Sequence, residues 1–148
     1  MTYTQIKVDA SIGAVGAEVT GIDLSQQLSA QAIDEIHSAW LAHHILFFRE
    51  QNLSPEAQAS FAANFGELDK YPFMQAVKAS PHVIPIIKEA DAQMNFGGDW
   101  HTDTSYQLTP PKATLLYAVE VPEVGGDTLF ADATAAYANL SPALREML

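Results

Sequence analysis

A mainly β domain with flanking helices is what the sequence predicts, on three observations. Short apolar or alternating runs bounded by Gly and Pro recur at 5–24, 45–48, 83–87, around His101, at 113–121 and at 128–131. Helix-start signatures are fewer, at Ser29, Ser54-Pro55 and Ser141-Pro142. No repeat, low-complexity tract or linker divides the 148 residues, so residues 1–148 read as a single domain.

The elements follow in order. Residues 5–24 read as two strands joined by a turn at Gly13, with Val15, Ala17 and Val19 alternating against polar or smaller neighbours. Ser29 is a predicted N-cap, because its hydroxyl can accept from a free N–H of the first helical turn. Ile33, Ile36, Trp40 and Leu41 then recur at helical spacing. Ile45-Leu46-Phe47-Phe48 is short and wholly apolar, the pattern of a strand covered on both faces. Ser54-Pro55-Glu56 starts a second helix: a cap, Pro where no N–H is needed, and an acid at the positive dipole end. That helix turns Phe61 and Phe65 inward and stops at Gly66. Pro85 makes 83–87 an edge strand or a broken one. A loop at 95–98 leads into the His101 strand, which Pro110-Pro111 ends. Strand 113–121 follows, then a turn at Gly125-Gly126, strand 128–131 and a short helix over 133–139. Ser141-Pro142 opens another helix six residues from Leu148. A helix that short does not stand alone, which reads as the N-terminal part of a longer protein.

Composition narrows the function. The formal net charge is -11, with seven Lys+Arg, so phosphate backbones and anionic lipid are repelled. Neither nucleic acid nor a membrane is an expected partner. The absence of cysteine excludes disulfides, thiolate metal sites and a Cys nucleophile, and accords with a cytoplasmic location.

His101-Thr102-Asp103 carries the chemistry. In an extended segment, side chains at i and i+2 share a face, so one imidazole nitrogen and one carboxylate oxygen would aim at a common point. A third ligand, a histidine from a distant strand, would complete a 2-His-1-carboxylate set with open positions, diagnostic of non-haem Fe(II) oxygenases. Alone, the pair reads more readily as an ordinary hydrogen-bonded couple on a strand. His37, His43 and His44 read as surface or capping residues, and His82 as a loop residue. Trp100 and Thr102 should face the other way and pack.

The ordered series of motifs adds to this reading. His101-Thr102-Asp103, Pro110-Pro111, Gly125-Gly126-Asp127-Thr128 and Ala135-Ala136-Tyr137 fall in one order. Ahead of them stand Gly16-Ala17-Glu18-Val19, Gly21-Ile22-Asp23-Leu24, Phe47-Phe48-Arg49 and Phe65-Gly66-Glu67-Leu68. The series resembles the TauD/TfdA family of Fe(II)/2-oxoglutarate-dependent dioxygenases over nearly the whole chain. The resemblance implies a double-stranded β-helix, or jelly roll, incomplete in this chain, with helices packed outside. It implies that His101 and Asp103 ligate Fe(II), that Thr128 binds a carboxylate of 2-oxoglutarate, and that O₂ is the other cosubstrate. It also implies a distal histidine and a clamping arginine in the C-terminal half; Arg49 and Arg145 are the only arginines here, and neither stands where the clamp should be. The implied reaction hydroxylates a small organic acid, such as a sulfonate, sulfate ester or aryloxy acid, and releases succinate and CO₂. Tyr71 before Pro72 stands where the taurine enzyme has a histidine, and Gly97-Gly98 replace polar residues, so taurine is not the expected substrate. Tyr71, Asn95 and Tyr106 are the candidate substrate-pocket residues. Two other classes compete: a non-catalytic binding module whose unpaired β-edges drive homo-oligomerisation, and a cupin-like metal protein without redox chemistry.

Overall fold

Two local signals in the first fifty residues build the sheet. In the computed structural model, which describes residues 2–10, 13, 15–71, 73–89, 91–93 and 97–148, β1 (Lys7–Asp9) and β2 (Ala17–Thr20) pair antiparallel, with Val8 opposite Val19. The alternation read at Ala17 and Val19 is present: both are buried. β3 (Leu46–Phe47) lies parallel to β2, placing Ala17 beside Leu46 in a sheet ordered β1-β2-β3. Parallel neighbours need a crossover, which is usually a helix. Here it is α1 (Ala30–His43), opened by Ser29, whose Oγ accepts from the Ala32 N–H at 3.1 Å. Ala32, Ile36 and Ala39 recur at i, i+4 and i+7, and they are the helix's buried face. His44 closes it at φ 67°, donating its N–H to the Trp40 carbonyl at 2.7 Å. The 45–48 run does form a strand, but a two-residue, half-buried one at the sheet edge.

Contacts divide the chain into two compact units. The first comprises Met1–Ile22, Leu28–Glu50 and Glu120–Leu148. Its N-terminal segment is tied to α1 by Glu35, whose carboxylate accepts the N–H groups of Thr4 (2.9 Å), Gln5 (2.8 Å) and Ile6 (3.3 Å) and the Thr4 hydroxyl (2.8 Å). Desolvation pushes that carboxyl's pKa up, but the Gln5, Thr4 and Ile6 donors together outweigh it and bring the pKa down to about 2. The unit ends in α3 (Ala133–Ala138), capped by Asp132, and α4 (Pro142–Met147), capped by Ser141.

The second unit comprises Asp23–Gln27 and Gln51–Val119. α2 (Pro55–Ala62) starts at Ser54 as its cap-plus-Pro signature requires, then tightens into a 3-10 turn over Ala63–Phe65. Gly66 ends it at φ 156°, ψ -176°, a region open in practice to glycine alone. Leu24, Leu53 and Phe61 are buried, and Phe65 meets Phe61 edge-on at 5.3 Å. Two long-range bonds fasten the 115–117 segment: Gln58 Nε2 donates to the Leu115 carbonyl at 3.1 Å, and the Tyr117 hydroxyl to the Gln51 carbonyl at 3.2 Å.

The β content expected from residue 83 onward is not formed. Among the described residues no strand occupies 83–87, the His101 segment, 113–121 or 128–131; the helix over 133–139 is present. A strand exists only when a neighbour accepts and donates its backbone hydrogen bonds, and these segments have no paired neighbour among the described residues. Val119, Val121 and Leu129 accordingly stay exposed despite their strand-like composition.

Candidate metal centre

The site is built by a turn rather than by a strand. His101 lies in irregular backbone, and a turn begins at Asp103. Thr104 follows at φ 45°, an unusual place for a β-branched residue. Its Oγ1 is buried and has no hydrogen-bond partner among the described residues. The extended geometry expected for 101–103 is therefore absent, yet the two side chains meet: His101 Nε2 lies 3.2 Å from Asp103 Oδ1.

The outward atoms of the pair are both committed. His101 Nδ1 is 2.7 Å from the Asp99 carbonyl oxygen. A carbonyl only accepts, so Nδ1 carries a proton; Nε2 offers its lone pair in the neutral imidazole and donates to Asp103 in the imidazolium. Asp103 Oδ2 accepts from the Thr114 hydroxyl at 2.8 Å, which leaves Oδ1 facing the imidazole. A lone pair and a carboxylate oxygen at 3.2 Å repel unless a proton or a cation lies between them. Two cis ligands about 2.1 Å from a divalent first-row ion sit about 3.0 Å apart, so this spacing suits a metal at a bite angle of about 100°. Both side chains are about half exposed, 51% and 53%, so an ion reaches them from solvent. The Asp99 carbonyl raises the imidazole pKa; desolvation opposes this, and the charge and hydrogen bond of Asp103 add to it.

Gly97 forms the other wall. A Cβ added there would stand 3.1 Å from His101 Cε1 and 3.6 Å from Nε2, and its φ is +66°. The sequence points to neither the Asp99 carbonyl nor Thr114: the first is backbone, and the second lies eleven residues from Asp103 and resembles any strand threonine. Gly97 stands out there as a loop residue replacing a polar one, not as a wall for the imidazole.

The remaining candidates are placed as follows. Tyr71 is half-buried, its ring edge-on to Phe73 at 5.5 Å. Tyr106 is exposed, and Asn95 lies outside the described residues. Trp100 and Thr102, expected to pack, are exposed, since no sheet face forms for them to cover. Thr128 belongs to the first unit, just after Gly125-Gly126, where both glycines have positive φ. Arg49 pairs with Glu18 at 2.8 Å. Among the described residues no third histidine or carboxylate joins His101 and Asp103 to complete a ligand set.

Known proteins resemble this chain over nearly its whole length. The family described as "Taurine catabolism dioxygenase TauD, TfdA family" matches residues 5–148. An alkylsulfatase of Acinetobacter baylyi is 34% identical over 143 residues, covering 96% of this chain and 44% of that protein. An alpha-ketoglutarate-dependent sulfate ester dioxygenase of Pseudomonas putida is 34% identical over 144 residues, covering 97% of this chain and 47% of its own. The crystal structure of a taurine dioxygenase from Burkholderia xenovorans superposes with a TM-score of 0.82 at 34% identity, over 97% of this chain and 51% of that one. The chain thus spans about half the length of the curated relatives it matches. With a family match across nearly every residue, the chain belongs to the TauD/TfdA dioxygenase family.

Proposed function

We propose that the protein is an Fe(II)- and 2-oxoglutarate-dependent dioxygenase acting on a small organic acid, of the sulfate ester, sulfonate or aryloxy acid type. The single observation that carries this is the convergence of His101 Nε2 and Asp103 Oδ1 at 3.2 Å, each with its outer atom tied elsewhere. His101 and Asp103 would hold the iron as two members of a 2-His-1-carboxylate set. The bound metal, with 2-oxoglutarate and O₂, supplies the oxidising power to hydroxylate a C–H bond, yielding succinate and CO₂.

The chain's own residues contribute position. The Asp99 carbonyl keeps the proton on Nδ1 and thereby keeps Nε2 available. Gly97, lacking a Cβ, lets the imidazole lie against the loop. Thr128 would donate its hydroxyl to a cosubstrate carboxylate. Tyr71, Asn95 and Tyr106 would line the substrate side. The exposed Val119, Val121 and Leu129 support a jelly roll in which these 148 residues form part of one larger domain. Activity in a cytoplasmic setting on a freely diffusing acid fits the cysteine-free sequence.

The test is turnover in the full-length protein. His101→Ala or Asp103→Ala should abolish formation of succinate from 2-oxoglutarate while the melting transition persists. Succinate formed at the wild-type rate by either variant would refute the assignment.

A further inference from the structure

We infer that Thr114 is a positioning residue for Asp103, deciding which carboxylate oxygen faces the ion; this rests on the metal reading proposed above. The two oxygens of an aspartate are chemically equal, and the terminal torsion that exchanges them is broad. An exposed Asp103 without a partner would sample orientations in which neither oxygen points at His101. The Thr114 hydroxyl removes that freedom: it donates to Oδ2 at 2.8 Å, leaving Oδ1 3.2 Å from Nε2. It also favours single-oxygen coordination, because the second oxygen is already engaged. Neighbouring coordination positions then stay open for other ligands.

The hydroxyl is itself held in place. Thr114 precedes Leu115, whose carbonyl accepts from Gln58 Nε2 on α2 at 3.1 Å. Two residues further on, the Tyr117 hydroxyl donates to the Gln51 carbonyl at 3.2 Å. Side chains thus fix this segment where a ladder of strand bonds is missing. The order of action runs from Gln58 and Gln51 through the 115–117 backbone to Thr114, and from Thr114 to the ligand.

Co(II) titrated anaerobically into the full-length protein, followed by its visible absorption, reads the site without turnover. Thr114→Val removes the hydroxyl at nearly constant shape and should raise the Co(II) Kd about 10- to 100-fold. Thr114→Ser keeps the hydroxyl and should restore binding to within about threefold of wild type. Wild-type affinity in Thr114→Val, or in Thr114→Ala should the valine variant misfold, overturns the inference. So does a Thr114→Ser that binds as weakly as Thr114→Val, since the hydroxyl would then not be what holds the ligand in place. His101→Ala separates the two readings. If it also binds Co(II) like wild type, the metal site itself is wrong; if it loses binding while Thr114→Val does not, Thr114 alone is removed.

Discussion

Gly97→Ala puts one methyl group against the imidazole of His101, and its cost divides into two parts with different readouts. The backbone part comes from φ +66°, where an L side chain costs roughly 1–2 kcal/mol relative to glycine. The contact part comes from the 3.1 Å approach of the new Cβ to Cε1, about 0.3 Å short of the 3.4 Å at which ordinary contact begins. Because Nδ1 is held by the Asp99 carbonyl at 2.7 Å, the ring relieves the clash by pivoting about that bond. The pivot moves the Cε1–Nε2 edge, the edge that faces Asp103. Metal–ligand distances tolerate about 0.2 Å, so a 0.3 Å withdrawal outruns the tolerance. The expected result is a Co(II) Kd raised about tenfold, equivalent to about 1.4 kcal/mol. Gly21→Ala is the control: its φ is +84° but nothing lies within 4 Å of the added Cβ. It should lose similar stability in urea unfolding and keep its Co(II) affinity. Wild-type Co(II) binding by Gly97→Ala, alongside the expected loss of stability, would show that the imidazole does not rest on Gly97.

Two more outcomes are expected. Thr128→Ala should chiefly raise the KM for 2-oxoglutarate with a smaller change in kcat, and an unchanged KM takes Thr128 out of the cosubstrate site. The pH behaviour of the N-terminus follows from Glu35, whose folded pKa of about 2 lies below its ordinary 4.5. A depressed carboxyl contributes stability that is complete above about pH 4.5 and disappears as pH falls through about 2. Protection factors for hydrogen exchange at the Thr4, Gln5 and Ile6 amides should therefore fall over that acid window, and in Glu35→Gln should be lower at neutral pH as well. Protection in Glu35→Gln equal to that of wild type would mean the carboxylate does not hold the segment.

Local chemistry accounts for what could be read directly. Ser29, Ser54 and Ser141 each start a helix because a hydroxyl reaches an N–H three residues on, a bond that needs nothing distant. The alternation at Ala17 and Val19 marked the buried face of β2, and Gly125-Gly126 marked a place where the backbone takes positive φ. His101 and Asp103 were legible as a pair for the same reason, being two residues apart. How they meet was not legible. The expected strand needs partners for its backbone, and none is paired to it among the described residues, so a turn with Thr104 at positive φ brings the two groups together instead. Tertiary structure alone brought Thr114 to Oδ2, the Asp99 carbonyl to Nδ1 and Gly97 to the ring face. A sequence records which groups can bond; which ones come within 3 Å depends on chain segments whose approach is set by packing far from either partner.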